Sequence, residues 1–204
     1  MAFPTTAVID AFTRVDAATL GASYSMFYGG PDTHSISSNR ALTPLSGTWT
    51  GDYYNVSTFG PACEIYFKIV AGAASPHYPC ARIVDPGTGT PDGYCVDINS
   101  SANTHYIQRI DNGVTTSLGA SISQAIANGD SVGLECSGSS ISFYYKSGAG
   151  AWSNLASRTD ATYAAAGYLA WCDLNQNNTY DDFGGGTIAA ATVIPVFMHH
   201  YMHN

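Results

Sequence analysis

Short runs of alternating apolar and polar residues recur along the chain and predict β-strands. The clearest run reads C-E-I-Y-F-K-I-V from Cys63 to Val70, with every second residue apolar. Successive side chains of a strand point to opposite faces of the sheet, so this period of two predicts a strand with one buried face. Further strand-like runs lie at residues 48–54, 80–84, 94–98, 163–171 and 180–188.

Turn residues between alternating runs predict two hairpins. The runs His105–Ile110 and Val114–Leu118 flank Asp111-Asn112-Gly113, and an Asn-Gly pair tolerates the positive φ angles of a tight type I′ turn. A second hairpin is predicted to join residues 131–136 to residues 140–146 through a turn at Ser137-Gly138. Only the segment 122–127 has a helix-like pattern, of one or two turns.

Composition supports a fold made of strands. Glutamate occurs only at Glu64 and Glu135, and lysine only at Lys68 and Lys146, so the chain lacks the residues that favour long helices. The pattern predicts an all-β, antiparallel two-sheet jelly-roll sandwich of about 10–13 strands. No repeat or linker divides the chain, so residues 1–190 are predicted to form one domain. Residues 191–204 are predicted to be a C-terminal extension that makes an assembly contact.

Charge and hydropathy exclude two classes of partner. The formal net charge is −8, with seven Lys and Arg residues in 204, whereas nucleic-acid binding needs clustered cations. No stretch approaches the roughly 20 apolar residues that cross a bilayer as a helix, so no membrane insertion is expected. Only 11% of residues are charged, and the abundant Ser, Thr, Asn and Tyr suit hydroxyl-rich ligands or broad protein contacts.

The two ends of the chain and the second hairpin carry a family resemblance. Ile9–Arg14 reads I-D-A-F-T-R and, followed by Leu20-Gly21, is similar to the start of laminin-G-like, concanavalin-A-like domains. Asn128–Leu134 reads N-G-D-S-V-G-L and resembles an N-G-D-x-V-x-L strand of that family, and Ile141–Tyr145 resembles its partner strand. Tyr180–Ile188 resembles the family's last strand, which pairs beside the first.

The resemblance implies a jelly roll but leaves function open, because this fold serves lectins, hydrolases and virion proteins alike. Domains with this opening are similar to tail, fibre or capsid-decorating proteins of double-stranded DNA bacteriophages. The implied function is a non-enzymatic virion structural or adhesion protein, either a minor tail protein or a capsid-decorating protein. Its expected partners are other virion proteins, further copies of itself and host-surface glycans. A free carbohydrate-binding lectin is the alternative, and a glycoside hydrolase is a third class.

The start of the chain bears on location. Met1 to Asp10 reads M-A-F-P-T-T-A-V-I-D, which has neither the basic start nor the apolar run of a secretory signal. We therefore expect a protein that is made in the host cytoplasm and assembled there into a virion.

Glycoside hydrolysis needs two carboxyl groups beside the scissile bond. Glu64 has no acidic neighbour within ten residues of sequence, and Glu135 has only Asp130. No G-x-S-x-G sequence occurs, so a serine nucleophile of that type is not indicated either. The sequence therefore predicts no catalytic residues, although pairs of aspartates are not excluded by this argument.

One loop carries a candidate metal site. Asp173, Asn175 and Asn177 alternate as oxygen donors, and calcium prefers such ligands in sets of six to eight. The pattern lacks the turn glycine and distal glutamate of a helix–loop–helix calcium site, and a polar turn loop without a metal explains the same residues. Calcium is accordingly the cofactor that this loop suggests.

Other residues have both a structural and a functional interpretation. His199 and His203 in the tail suit a transition metal, whereas the aromatic and Met-rich tail around them suits an interface. The five cysteines lack zinc-like spacing and are expected to be buried as small apolar residues. Aromatic side chains that would stack on sugars or belong to the core are Trp49, Tyr53, Tyr54, Tyr78, Trp152 and Trp171.

Overall fold

The structure, a computed structural model, describes residues 2–28, 33–44, 50–174 and 177–190. Within these ranges it contains sixteen strands and no helix. The strands are β1 (Val8–Asp10), β2 (Tyr24–Met26), β3 (Ser35–Ser37), β4 (Arg40–Leu42), β5 (Thr50–Tyr54), β6 (Cys63–Ala71), β7 (Pro76–Val84), β8 (Asp92–Asn99), β9 (Thr104–Asp111), β10 (Val114–Ser117), β11 (Ile122–Ser123), β12 (Ser131–Ser137), β13 (Ser140–Lys146), β14 (Ser153–Thr159), β15 (Tyr168–Asp173) and β16 (Thr179–Thr187).

The strands form two antiparallel sheets, which confirms the predicted jelly-roll sandwich. Sheet A has the order β14-β13-β12-β6-β16-β4-β3, with β1 also paired to β16. Sheet B has the order β10-β9-β8-β7-β15-β5-β2, with β11 also paired to β9. The sequence predicted fewer strands, because several of the sixteen are edge pieces of two to four residues that are too short to show a period of two.

Alternation places the core between the sheets. On β6, Cys63, Ile65, Phe67 and Ile69 are at most 1% exposed and belong to the main core, as the period of two predicted. On β8 of the opposite sheet, Tyr94, Val96 and Ile98 are inward in the same way. Each sheet thereby buries one set of alternate side chains and presents the other set outward.

The family-like motifs have structural roles in the sandwich. In the opening motif, the Asp10 carboxylate accepts from the Phe12 amide and from Arg14 Nη1, both at 2.7 Å, while Phe12 is fully buried. Arg14 Nη2 also donates to the Leu20 carbonyl at 2.7 Å. The motif thus ties a loop to the core, and Val8 of β1 pairs with Gly184 of β16, as expected for the first and last strands.

Asp130 organises the N-G-D segment before β12. Its carboxylate accepts from the Ala127 amide, the Gly148 amide and the Tyr145 hydroxyl, each at 2.9 Å. Gly129 has a φ of +96°, which favours glycine. These bonds hold the start of β12 against the end of its hairpin partner β13.

Both predicted hairpins are confirmed, and the predicted helical segment is wrong. Asn112 and Gly113 have φ angles of 51° and 78° between β9 and β10, as a type I′ turn requires. Residues 122–127 instead begin with the short strand β11, in which Ile122 pairs with His105 of β9. The His105 ring contacts the Gln124 carbonyl at 2.7 Å, so tertiary contacts replace helical bonds in this segment.

Residues 2–7, which we call the N-terminal arm, lie across the outer face of sheet A. The Phe3 ring stacks on Tyr144 with centroids 4.0 Å apart and meets Trp152 edge-on at 4.9 Å. The Thr5 and Thr6 amides each donate to Glu64 Oε1 at 2.6 Å. This sheet face is therefore covered at its centre by the chain itself. The C-terminal extension predicted at 191–204 lies outside the described residues.

Candidate functional site

The outer face of sheet B carries a second hydrophobic cluster. It contains the side chains that alternate with the inward set: Phe27, Cys80, Ile83, Cys95, Ile110, Ala170 and Cys172. An outward-facing layer of this kind does not belong to the core of the sandwich. It forms the floor of a surface site, because the residues that follow β2 and the β9–β10 turn rise beside it.

A pocket of about 240 Å³ opens on this cluster, and we call it the outer-face pocket. Its floor comes from β7, β8, β9 and β15, and its sides come from the segment after β2 and from the β9–β10 hairpin. The hydroxyl of Tyr28 donates to the Gly113 carbonyl at 2.6 Å and joins these two sides. The lining residues are Phe27, Tyr28, Tyr78, Cys80, Cys95, Asp97, Gln108, Ile110, Gly113, Thr115 and Cys172.

Aromatic rings and hydrogen-bonding groups share this lining. Phe27 and Tyr28 have ring centroids 5.7 Å apart with planes at 84°, so the two rings form a corner. Gln108 and Thr115 contribute an amide and a hydroxyl from neighbouring strands, and Asp97 contributes a carboxylate. An apolar floor with a few polar groups is the common composition of small-molecule sites.

Asp97 has an unusual electrostatic setting. Burial raises the pKa of its carboxyl, and this effect outweighs the hydrogen bond from the Tyr78 hydroxyl and the charge of His105. Burial also raises the pKa of Tyr78, with the negative charge of Asp97 adding to the effect. The carboxylate is therefore less well solvated than a surface carboxylate, and it is the one formally charged side chain among the described residues that line the pocket.

Three thiols lie together in the pocket floor. Cys80 and Cys95 are direct cross-strand partners on β7 and β8, and Cys80 also contacts Cys172 on β15. Burial raises the pKa of Cys80 well above its usual range, so this thiol is uncharged at neutral pH. All five cysteines of the chain are buried and free, as predicted for small apolar residues.

A second, more open cleft of about 370 Å³ lies next to the outer-face pocket, and we call it the neighbouring cleft. Tyr53 of β5 and Tyr168 of β15 line it, with ring centroids 5.1 Å apart. The Gly87 amide, between cleft-lining residues Pro86 and Thr88, donates to the Phe27 carbonyl at 2.8 Å. The two depressions thus adjoin along one face of sheet B.

The residues of the predicted calcium loop occupy different environments. Asp173 ends β15 and is fully buried, and its Oδ2 atom accepts from Thr43 Oγ1 at 2.6 Å and from the Tyr180 hydroxyl at 2.6 Å. Asn177 is exposed in a turn, and Asn175 lies outside the described residues. No group of three or more His, Cys, Asp or Glu side chains in the described ranges is arranged to hold a metal ion. The calcium site stays a prediction.

Asp173 belongs to a buried polar network that joins the two sheets. His34 Nε2 lies 3.1 Å from Asp173 Oδ2, and His34 Nδ1 lies 2.7 Å from Asp52 Oδ2. Burial lowers the pKa of His34, but the hydrogen bonds and charges of Asp173 and Asp52 outweigh it and raise the pKa to about 9. His34 is thus an imidazolium held between two carboxylates at neutral pH.

The same network contains a neutral histidine. His77 Nδ1 lies 2.7 Å from the Tyr180 hydroxyl oxygen, and His77 Nε2 lies 3.1 Å from the Gly72 carbonyl oxygen. Burial lowers the pKa of His77 to about 4 despite the opposing charge of Asp173. The network is closed off from solvent, so its histidines act on stability rather than on a ligand.

The aromatic candidates separate into core and surface. Trp171 is 1% exposed and packs in the core, and Tyr54 packs against the same core. Trp152 holds Phe3 of the N-terminal arm. Tyr78 lines the outer-face pocket and Tyr53 the neighbouring cleft, so two candidates reach a site. Trp49 lies outside the described residues.

The two glutamates are not isolated in space. Glu64 on β6 and Glu135 on β12 are direct cross-strand partners on the outer face of sheet A. Their separation in sequence hid this pairing, because it depends on which strands adjoin. Glu64 is fully buried under the N-terminal arm, and burial together with the charge of Glu64 raises the pKa of Glu135.

Sequence reasoning did not identify Asp97, Gln108 or Thr115 as site residues. Alternation along β8 could have placed Asp97 on the face opposite Val96, but it could not show that this face carries a pocket. No helix in the described ranges is long and apolar enough to span a membrane.

No family model matches the sequence, and no curated protein matches it either. Solved structures share the fold. A carbohydrate binding module, CBM66 from Bacillus subtilis, matches with a TM-score of 0.56 and 11% identity over 81% of this chain and 94% of that chain. The Ca²⁺/Man2-bound form of the VIP36 exoplasmic/lumenal domain gives 0.61 and 10% over 91% and 89%. A Bacillus licheniformis β-glucanase gives 0.57 and 9% over 86% and 98%.

Proposed function

We propose that this protein is a non-enzymatic glycan-binding module whose ligand occupies the outer-face pocket. The observation that carries the proposal is the combined lining of this pocket, in which an aromatic corner adjoins a carboxylate, an amide and a hydroxyl. A sugar ring has an apolar face that packs on aromatic side chains and a rim of hydroxyls that bond to polar groups.

The surroundings of the pocket favour a short saccharide. A volume of about 240 Å³ suits one sugar residue, and the neighbouring cleft along the same face gives room for a second. The solved structures that share the fold include a carbohydrate binding module and the Ca²⁺/Man2-bound form of the VIP36 exoplasmic/lumenal domain. These matches support a carbohydrate ligand as the class to test first.

The distribution of carboxylates supports binding rather than hydrolysis. The described residues that line the outer-face pocket include one carboxylate, Asp97, whereas glycoside hydrolysis usually needs two. The close pair Glu64 and Glu135 lies on the other sheet, where Thr5 and Thr6 occupy one oxygen of Glu64. A glycoside hydrolase is the alternative function. Release of reducing sugar from glycans that bind, lost in Asp97→Asn or in Glu135→Gln, would replace the binding proposal with that alternative.

A pocket-filling substitution tests the binding proposal. Thr115 lines the pocket on the exposed strand β10, so Thr115→Trp should fill it without disturbing the core. Glycans identified on an array should bind this variant at least about tenfold more weakly in calorimetry, a loss near 1.4 kcal/mol.

The matched control lies one residue further along the same strand. Thr116 is also exposed but does not line the pocket, so Thr116→Trp adds the same ring on the opposite face. It should leave the affinity unchanged. Equal loss of affinity in both variants, or an array on which no glycan binds, contradicts the proposed site or the proposed function respectively.

The narrower hypothesis from the sequence places this module on a bacteriophage particle, as a minor tail or capsid-decorating protein. The family-like opening and the low charge of the surface motivate it. In that setting the module would contact other virion proteins or further copies of itself and present the pocket to host glycans. Mass spectrometry of purified virions tests the hypothesis, and absence of the protein from them would refute it.

A further inference from the structure

The outer-face pocket carries a negative charge without a positive counterpart. Among the described residues that line it, Asp97 is the one carboxylate, and none is a Lys, Arg or His. In the described ranges, the ion pairs within 4 Å join Arg14, His34 and Arg109 to other aspartates, and none of them includes Asp97. The pocket is therefore electrostatically suited to a cation.

The setting of Asp97 makes this charge available to a ligand. Burial already separates the carboxylate from much of the solvent, and a charge in such a place interacts more strongly than one on the surface. The Tyr78 hydroxyl supplies a hydrogen bond but no charge. His105 also lies near enough to act on Asp97, but burial lowers the pKa of its imidazole, so a ligand cation would add a charge interaction that the neutral ring does not supply.

The aromatic corner of the pocket also favours a cationic ligand. The faces of Phe and Tyr rings carry negative electrostatic potential, and they attract ammonium groups within about 6 Å. Tyr28 is half-buried and Phe27 is fully buried beside it, with the two ring planes at 84°, so Tyr28 is the ring of the corner that a ligand ammonium group would meet. The remaining floor includes the buried side chains of Cys80, Cys95, Cys172 and Ile110, which carry no positive charge that would repel a cation.

From this lining we infer that the pocket selects a ligand bearing an ammonium group, and that its glycan ligand contains an amino sugar with a free amine. The inference rests on the proposed function and names the ligand class of the same site. The ammonium group would lie against Asp97 and the aromatic corner, while the ring hydroxyls reach Gln108 and Thr115. The net charge of −8 on the whole chain adds long-range attraction for such a ligand.

Matched saccharides separate charge from ring recognition. Calorimetric titrations would use oligosaccharides of glucosamine, of N-acetylglucosamine and of glucose, which differ at the amino position. The glucosamine oligosaccharide should bind about tenfold more tightly than its acetylated form, since ion pairing and cation–π contact are lost on acetylation. Choline, an ammonium compound without a sugar ring, completes the set.

Two variants assign the preference to a residue. Asp97→Asn should abolish the preference for the free amine, because it removes the charge and keeps the shape. Asp182→Asn removes one negative charge from an exposed position on sheet A and should leave the preference intact. Near-ultraviolet circular dichroism spectra of both variants, compared with that of the unmodified protein, check that the fold is retained. A preference that survives in Asp97→Asn overturns the inference.

The outcomes distinguish this inference from the proposed function. Equal binding of the three saccharides overturns the ammonium preference and leaves glycan binding standing. Binding of choline alone, without any saccharide, overturns glycan binding and retains the cation site. If no compound binds, both are overturned.

Discussion

Arg82 shows how a single side chain can be fixed by the fold around it. It lies on β7, is fully buried, and donates through Nε to the Pro61 carbonyl at 2.8 Å and through Nη1 to the Tyr163 carbonyl at 3.1 Å. No carboxylate in the described ranges forms an ion pair with it. Its guanidinium therefore joins two loops by bonds to their carbonyl groups.

Replacement of Arg82 by Met should destabilise the protein by about 3 kcal/mol, because the Pro61 and Tyr163 carbonyl groups lose the charged donor that the buried guanidinium supplies. Urea unfolding followed by tryptophan fluorescence measures the change. Arg40→Met is the matched control, since Arg40 is exposed on the short strand β4. A loss for Arg82→Met no larger than that of the control would show that these bonds contribute little.

Individual residues were predictable where local alternation decides their environment. Cys63, Ile65 and Phe67 could be assigned to the core from the sequence, because a strand fixes which side chains share a face. Arg82 and His34 could not, since charged or titratable residues are seldom buried and their partners come from distant strands. Asp97 was missed because its partners in the pocket also come from distant parts of the chain, in five separate segments.

At the level of elements, the N-terminal arm depends on one ring. Gly133 on β12 leaves space for Phe3, and a Cβ at that position would come within 2.4 Å of the Phe3 ring. Tyr66, Tyr144 and Trp152 surround the same ring. The arm is therefore held by a specific aromatic contact and by the bonds of its two threonine amides to Glu64.

Phe3→Ala should release the arm and lower the free energy of unfolding by about 2 kcal/mol, through the loss of a buried aromatic contact. Hydrogen exchange of the Thr5 and Thr6 amides, which bond to Glu64, should become faster in the variant. Val15→Ala, at a site that is 86% exposed, is the control and should change neither quantity. Unaltered exchange at both threonines would mean that Glu64 alone holds the arm.

Secondary-structure elements were predicted well where local turn residues determine them. They were predicted poorly where long-range strand pairing determines them. The Asn112-Gly113 turn identified its hairpin because the φ preference belongs to the two residues themselves. Residues 122–127 were mistaken for a helix because the pairing of Ile122 with His105 is a long-range contact. The same limitation hid the pairing of Glu64 with Glu135.

At the scale of the whole molecule, the network around Asp173 connects sheet A to sheet B. Asp173 and His77 belong to sheet B, Tyr180 belongs to sheet A, and His34 immediately precedes a strand of sheet A. Its two histidines have pKa values shifted in opposite directions from 6.5, to about 9 for His34 and to about 4 for His77. The stability of the sandwich should therefore depend on pH on both sides of neutrality.

The sign of each effect follows from proton binding. Between pH 6.5 and 9 the folded state holds the His34 proton that the unfolded chain has lost, so stability falls as pH rises. Between pH 6.5 and 4 His77 binds a proton in the unfolded chain but not in the folded state. The free energy of unfolding therefore falls as pH decreases. Each histidine should contribute a change of roughly 3 kcal/mol over its window, with maximal stability near pH 6.5.

Urea unfolding at a series of pH values measures this dependence. In His34→Gln, the loss of stability between pH 6.5 and 9 should be smaller by the contribution of His34. In His77→Gln, the loss of stability between pH 6.5 and 4 should be smaller by the contribution of His77. Each variant thus serves as the control for the other. A wild-type profile that is flat between pH 6.5 and 9 would show that His34 is not held as an imidazolium.

The overall architecture could be predicted from the sequence, whereas the site could not. Alternation, turns and the two terminal motifs together specify a jelly-roll sandwich, because each constrains strands that the fold needs. The site is built by the side chains on the outer face of sheet B. The alternation of apolar and polar residues identifies these positions only as less apolar than the inward ones. Apolar residues also occur on that outward face, and they are a sign in the sequence that part of it is shielded from solvent: Cys80, Ile83, Cys95, Ile110, Ala170 and Cys172.

The position of β16 also has a consequence for how the protein is made. This strand inserts between β6 and β4 in the middle of sheet A, and it brings Tyr180 and Phe183 into the core. A nascent chain on the ribosome completes β6 long before β16 emerges. Until then, the edge of β6 that pairs with β16 stays unpaired. The sandwich is consequently closed by the arrival of a late central strand rather than by growth from its hairpins. Translation that stalls before residue 179 would leave that edge open to pairing with other chains.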